Sequence, residues 1–269
     1  MTVREPIVAG RFYPASPSSL EKEIEGYVDE AAPKEDAIGL VSPHAGYMYS
    51  GPVAGAVISR IRFRDTFVVM GPSHTGYGKP FSIMTEGSWR TPLGNVEIDS
   101  VLGRQILSRS GHLDEDEVSH LYEHSIEVQL PFLQYFKKDV RIVPIVLAPA
   151  SSAVYKEIGK EVAGAIRDTK AEAVILASTD MTHYESHESA ERKDRSAIEA
   201  IVELDEDGLM QRVKDMRISM CGYALTVALI AAAKELGARR AELVRYQTSG
   251  DVSGDYGSVV GYAGIVIAR

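Results

Sequence analysis

The amino-acid sequence predicts an α/β protein: a three-layer α/β/α sandwich on a mainly parallel, mixed central sheet. Three observations predict it. Four short apolar runs, at residues 38–41, 67–70, 142–147 and 173–177, each end in turn residues. Segments of helical period separate them, the pattern of strands buried on both faces between crossover helices. The chain has 269 residues, 45% of them hydrophobic, enough to build one large core, and a single domain over 1–269 is expected. Ligands of such sheets bind outside the carboxyl ends of the strands.

Taken in order, the N-terminal segment to Ser16 carries Gly10, Arg11, Phe12, Tyr13 and Pro14 and reads as an ordered but irregular strip. A helix is expected from Ser18, which has capping-box spacing to Glu21, to about Ala31, ahead of Pro33. Residues 53–61, 101–107 and 154–166 read as helices with apolar residues at helical spacing. Residues 81–85 and 95–98 flank the turn Thr91-Pro92-Leu93-Gly94 and read as a hairpin insertion. Residues 243–246, a loop rich in Gly, Ser and Asp, and residues 259–267 complete the chain, the last as a strand.

The histidines carry the chemical signal. His44 follows the first apolar run directly, in Ser42-Pro43-His44-Ala45-Gly46-Tyr47. His74 follows the second, in Gly71-Pro72-Ser73-His74-Thr75-Gly76. They lie 30 residues apart, about one βαβ unit, which places both just past the same end of two parallel strands. His183 follows a further run, in Ser178-Thr179-Asp180-Met181-Thr182-His183. Three imidazoles on rigid turns at one sheet edge suit a metal such as zinc, copper or iron. A histidine after a strand also serves as a plain loop hydrogen-bonder, and spacing alone does not separate the two. Asp180 is placed to orient a ring N–H or to bind metal itself.

Cys221, the only cysteine, precedes an apolar helix at residues 224–233. A helix N-terminus stabilises a thiolate, which favours a ligand or nucleophile; a small buried residue is the competing reading. For His124, in Glu123-His124-Ser125-Ile126-Glu127, a proton carrier or substrate contact and a helix cap stand level. His112, His120 and His187 sit among charged residues and read as surface groups. Asp251 and Asp255 lie in a turn-rich loop that reads as a plain connection or as a pocket wall. There is no phosphate-binding glycine motif, no G-x-S-x-G elbow and no C-x-x-C.

Composition narrows the function further. The net charge of −9 gives no general attraction for nucleic acid or for an anionic membrane surface. No apolar run approaches the ~20 residues of a membrane span. The first fifteen residues lack the features of a signal peptide. One cysteine permits no intrachain disulfide. A cytoplasmic location is therefore expected.

Eight segments together resemble the Memo family, the B component of the AmmeMemoRadiSam system. They are Val8-Ala9-Gly10-Arg11-Phe12-Tyr13-Pro14, Pro43-His44-Ala45-Gly46-Tyr47, Gly71-Pro72-Ser73-His74, Thr91-Pro92-Leu93-Gly94, Glu123-His124-Ser125-Ile126-Glu127, residues 180–183, Met220-Cys221-Gly222 and Ser249-Gly250-Asp251-Val252. The family resembles class III extradiol (LigB-like) dioxygenases in fold. The resemblance implies that His44, His74 and Cys221 are metal ligands, with His183, Asp180 and His124 beside them as candidate catalytic groups. It implies iron or copper, with zinc as an alternative, and radical-SAM and AMMECR-type proteins, a small molecule or a peptide as partners. One departure stands out. Extradiol dioxygenases hold iron with two histidines and a carboxylate, whereas a thiolate at Cys221 shifts preference toward copper or zinc, or to redox-active iron, and argues against ring cleavage. The competing function is a non-catalytic binding module that uses the same cleft. A cysteine-dependent hydrolase built on Cys221 and His183 ranks last, because no oxyanion motif accompanies the cysteine.

Overall fold

The computed structural model describes residues 2–269. Its strands are β1 (Val3–Arg4), β2 (Ala37–Ser42), β3 (Thr66–Pro72), β4 (Phe81–Ile83), β5 (Ser88–Thr91), β6 (Gly94–Ile98), β7 (Asp114–Glu115), β8 (Arg141–Leu147), β9 (Ala173–Ser178), β10 (His183–Glu185), β11 (Arg240–Thr248) and β12 (Val259–Ala268). The helices are α1 (Pro17–Glu25), α2 (Tyr47–Ser59), α3 (Ser100–Arg109), α4 (Val118–Leu121), α5 (His124–Glu127), α6 (Leu130–Phe136), α7 (Ser152–Thr169), α8 (His187–Val202), α9 (Glu206–Met216), α10 (Tyr223–Glu235) and α11 (Gly250–Ser253).

The four apolar runs form the centre of one mixed sheet, in the order β8-β3-β9-β2, and all three neighbouring pairs are parallel. β12 joins β2 antiparallel and carries β11 on its other side. β3 is buried along its whole length and its side chains alternate between two cores. Val68 and Met70 pack with Ile158, Val162, Leu225 and Leu229 of α7 and α10. Phe67 and Val69 pack with Leu20, Ile24, Val57 and Phe132 of α1, α2 and α6. A strand covered on both faces needs apolar residues at every position, which is why the run is continuous rather than alternating.

Register decides where the histidines land. Leu40 pairs with Leu176 and Ser42 with Ser178, while Met70 pairs with Ala177. The carboxyl ends of β2, β3 and β9 are therefore level, and the segments that carry His44, His74 and Asp180 leave the sheet side by side.

Two local expectations are corrected. The hairpin arms are β5 and β6, paired from Ser88↔Glu97 to Thr91↔Gly94. Phe81–Ile83 instead lies antiparallel on β8. Helix α1 has Ser16 as its N-cap and Pro17 in its first turn, and it ends at Glu25 rather than near Ala31. Proline is preorganised for the first helical position, so it sets the start.

Candidate metal centre

His44 is buried, with 2% of its surface exposed. Its backbone N–H donates to Asp180 Oδ1 at 2.8 Å. Its Nδ1 lies 3.1 Å from Ser178 Oγ. That hydroxyl donates its one hydrogen to the Ser125 carbonyl at 2.7 Å and accepts from Gln129 Nε2 at 2.8 Å. Gln129 is oriented in turn by Ser42 Oγ, which donates to its Oε1, and by the Pro43 carbonyl. The bond between the ring and Ser178 must therefore run from His44 Nδ1–H, which leaves Nε2 with a lone pair. Burial, with the neighbouring His74, lowers the pKa of His44 to about 3, so the ring is neutral.

His74 is fixed in the same sense by a residue that the sequence reading passed over. Glu123 is fully buried. Its Oε1 accepts from His74 Nδ1 at 2.9 Å and from Ser125 N–H at 2.9 Å, and its Oε2 accepts from His74 N–H at 2.9 Å. Burial alone would raise the Glu123 pKa, but these hydrogen bonds and the His74 charge pull it down to about 2. An ionised acceptor requires Nδ1–H on His74 and leaves Nε2 free. The same carboxylate outweighs desolvation and raises the His74 pKa.

Cys221 completes the group. Its Sγ accepts from Asp180 N–H at 3.2 Å and lies 3.5 Å from His44 Nε2. Gly222 allows this approach: a Cβ there would meet Thr179 Cβ at 2.4 Å. One ligand atom from each of His44, His74 and Cys221 lies within 4.8 Å of the others. The helix after Cys221 does not by itself lower the thiol pKa, as the reading of Cys221 as a small buried residue allows. Burial, with Asp180 nearby, pushes the thiol up to about 12.

His124 turns out to face the cluster. Its ring stacks on His74 with centroids 4.7 Å apart and meets the edge of His44 at 5.5 Å. The cap of α5 is Glu123, not His124. Burial, with His44 close by, lowers its pKa to about 4. Asp180 is buried, and its Oδ2 stands 4.0 Å from His44 Nε2. His183 lies outside the three-atom group. Its Nδ1 is 2.8 Å from the Met181 carbonyl and 3.0 Å from the Ser219 carbonyl, so it donates there and keeps Nε2 free.

Other readings separate clearly. His120 is not a surface residue: it is fully buried, meets the Trp89 ring edge-on at 5.9 Å, and lies 3.2 Å from Ser82 Oγ. His112 and His187 are half-buried and bonded to Glu157 and Thr248. Asp251 and Asp255 are exposed and shape their own loop, accepting from Thr248 N–H and Gly257 N–H.

The pair His44–Cys221 fits a metal on a geometric test, and His74 lies within 4.8 Å of both. Zn–N and Zn–S bonds of about 2.0–2.1 and 2.3 Å at a tetrahedral angle put the nitrogen and sulfur about 3.5–3.6 Å apart. His44 Nε2 and Cys221 Sγ stand at 3.5 Å. Both rings also carry the tautomer a ligand needs, with Nδ1 held by a protein acceptor.

Fold and site together define an α/β sandwich with a His–His–Cys cluster at the carboxyl ends of its parallel strands. The family model for Memo-like proteins matches residues 4–266, and the chain belongs to that family. It is 45% identical to a MEMO1 family protein from Methanopyrus kandleri, with 99% of each chain covered. It is 45% identical to another from Methanococcoides burtonii, covering 98% of this chain and 100% of that one. A third, from Pyrobaculum aerophilum, is 43% identical over the full length of both. The crystal structure of an uncharacterized Escherichia coli K12 protein superposes with a TM-score of 0.49 at 14% identity, over 77% of this chain and 87% of that one. Among the described residues, no helix is long and apolar enough to cross a membrane.

Proposed function

We propose that this chain is a metal-binding, non-haem oxidoreductase-like protein in which His44 Nε2, His74 Nε2 and Cys221 Sγ hold one iron or copper ion. The observation that carries the reading is the convergence of two imidazoles, each held at Nδ1 by a protein acceptor, with one thiol: His44 Nε2 lies 3.5 Å from Cys221 Sγ, and the His74 ligand atom lies within 4.8 Å of both. The ion would supply Lewis-acid and one-electron chemistry. Glu123 and Ser178 orient the two rings. His183 offers a free Nε2 for moving a proton, and Asp180 presents Oδ2 toward the cluster. His124 closes the cluster on the side of Phe12, whose ring it meets at 5.2 Å.

Metal analysis of protein purified without an affinity tag tests this. One equivalent of metal is expected, lost in His44→Ala and in His74→Ala. No bound metal, with no heat of binding on titration of iron, copper or zinc, sinks it.

One observation favours a second reading, a non-catalytic binding module. A groove of about 550 Å³ lined by Arg11, Phe12, Pro14, Met48 and Tyr49 runs beside the cluster, large enough for a small ligand or a peptide segment. Radical-SAM or AMMECR-type proteins would be its larger partners. Retention of partner binding in the His44→Ala, His74→Ala double variant would favour it.

A further inference from the structure

One outer strand of the sheet is unlike the others. β1, β7 and β10 each lie outermost in their part of it and have only two or three residues. Short outer strands offer little to another chain, which is one way that proteins guard a sheet edge. β11 has nine residues, pairs with β12 alone, and contains neither proline nor lysine. Among the described residues, no backbone N–H or C=O of residues 240–247 bonds outside the β11–β12 ladder. The outward groups of β11 therefore form a row of open donors and acceptors.

The faces of β11 say what fits there. Ala241, Leu243 and Tyr246 pack on the side of α7, α8 and α10, and the Tyr246 hydroxyl donates to Asp194 of α8 at 2.9 Å. Val244 packs in the opposite core, and Gln247 donates to the Tyr49 carbonyl of α2 at 2.7 Å. A bulge between Leu243 and Arg245 accounts for the change of phase. It leaves Glu242, Val244, Arg245 and Gln247 all on the α2 face. A two-fold axis perpendicular to the sheet keeps every residue on its own face. For two antiparallel copies of β11, only one register then matches faces along the whole strand. Val244 stands opposite Arg245, Leu243 opposite Tyr246, and Glu242 opposite Gln247. The bulge that would misalign a plain strand meets its own counterpart.

Side chains favour this register. A cavity of about 350 Å³, floored by Leu243, Tyr246, Ile198 and Val202, lies between β11 and α8, where the Leu243 and Tyr246 of a second copy would enter. Glu242 falls diagonal to Arg245 of the other copy, within reach of long side chains. Both are exposed. Arg245 has no ion partner among the described residues, and Glu242 reaches only Arg60, at 3.4 Å.

We propose that β11 is a dimerisation edge, on which two copies of this chain pair antiparallel and join their sheets into one. The contact uses the same patch on both copies, so it closes at the dimer. It is independent of the metal reading, because β12 stands between β11 and β2.

Sedimentation equilibrium of the full chain over a concentration series tests this. Wild type should be a dimer that dissociates on dilution. Amide exchange within residues 240–247 should slow as rising concentration forms the dimer. Arg245→Glu sets like charges against each other twice and should raise the dissociation constant about tenfold. Arg245 is exposed and unpaired, so the Tm of the separated copies should not change. The Glu242→Arg, Arg245→Glu double variant reverses both signs and should restore the dimer. A wild type that stays monomeric up to about 1 mM overturns the proposal. So does a dimer indifferent to Arg245→Glu, a loss that the double variant fails to restore, or β11 exchange that ignores concentration.

Discussion

His74 Nδ1 and Glu123 Oε1 stand 2.9 Å apart, and this pair fixes a strand-end histidine with its Nε2 away from the carboxylate. The carboxylate is sealed from solvent and bonded by two backbone N–H groups as well, so the ring is held in tautomer and in angle. Glu123→Gln keeps an acceptor for Nδ1–H but removes the charge that raises ligand basicity. Metal affinity should fall about 10–100-fold with the fold intact. Competition against a chelator of known affinity reads this directly; an unchanged constant means that Glu123 is only structural.

Ser178 does for His44 what Glu123 does for His74, through a neutral hydroxyl. Ser178→Ala removes the acceptor at His44 Nδ1 and leaves Gln129 Nε2 and the Ser125 carbonyl each short of a partner. Loss of about 1–3 kcal/mol of stability is expected, together with weaker metal binding. Urea denaturation of metal-free protein measures the first separately from the second. A variant as stable as wild type would contradict the hydrogen-bond chain through Ser178.

The N-terminal strip is tied to the site by charge. Glu127 accepts from Arg4 Nη1, Ile7 N–H, Val8 N–H and the Tyr13 hydroxyl, and Arg4 Nη2 donates to the Glu123 carbonyl at 2.7 Å. Arg4 and Glu127 are both buried. Arg4→Met should cost about 3–5 kcal/mol, since it strands a buried carboxylate. The Arg4→Met, Glu127→Gln double variant should lose less than the sum of the singles. Additive losses would show that the two do not act as a pair.

Burial holds the His120 pKa at about 3, against about 6.5 in an unfolded chain. The folded state thus refuses a proton that the unfolded state accepts. Stability from this residue is complete above pH 6.5 and is lost as pH falls from 6.5 toward 3, by up to about 1.4 kcal/mol per pH unit. His120→Gln should flatten the acid limb of a stability profile between pH 6.5 and 4. An acid limb as steep as that of wild type would place the sensitivity elsewhere.

What the sequence made legible was local and periodic. The apolar residues at 67–70 announce a strand buried on both faces, and the turns that follow announce where His44 and His74 must emerge. The first hairpin arm was obscured because Ser88-Trp89-Arg90-Thr91 has one large apolar residue, whereas the apolar stretch at 81–83 resembles a better strand. Glu123 and His120 lie just beyond the acidic run 114–117, where His120 reads as a surface group and Glu123 carries no signal of its own. Both are buried by partners distant in the chain: Glu123 by His74, and His120 by Trp89 and Ser82. No window of neighbouring residues carries that information. The left-handed backbone of Tyr184 is equally silent, since it follows from the pairing of β10 with β12.

If the proposed centre holds a metal, Cys221 should decide which one it prefers. Two imidazoles with a soft thiolate favour copper and zinc, whereas two imidazoles with a carboxylate and open positions favour iron(II). Cysteine and aspartate are close in size, and the Cys221 Sγ accepts a backbone N–H from Asp180 that a carboxylate oxygen can accept as well. Cys221→Asp should therefore fold, bind one metal, and shift selectivity toward iron(II) relative to wild type when iron, copper and zinc compete at equal free concentration. Elemental analysis after dialysis against the mixture reads the ratio. Identical selectivity in wild type and variant would mean that Sγ is not a ligand, and would turn attention to the neighbouring group of His74, Glu123 and His124.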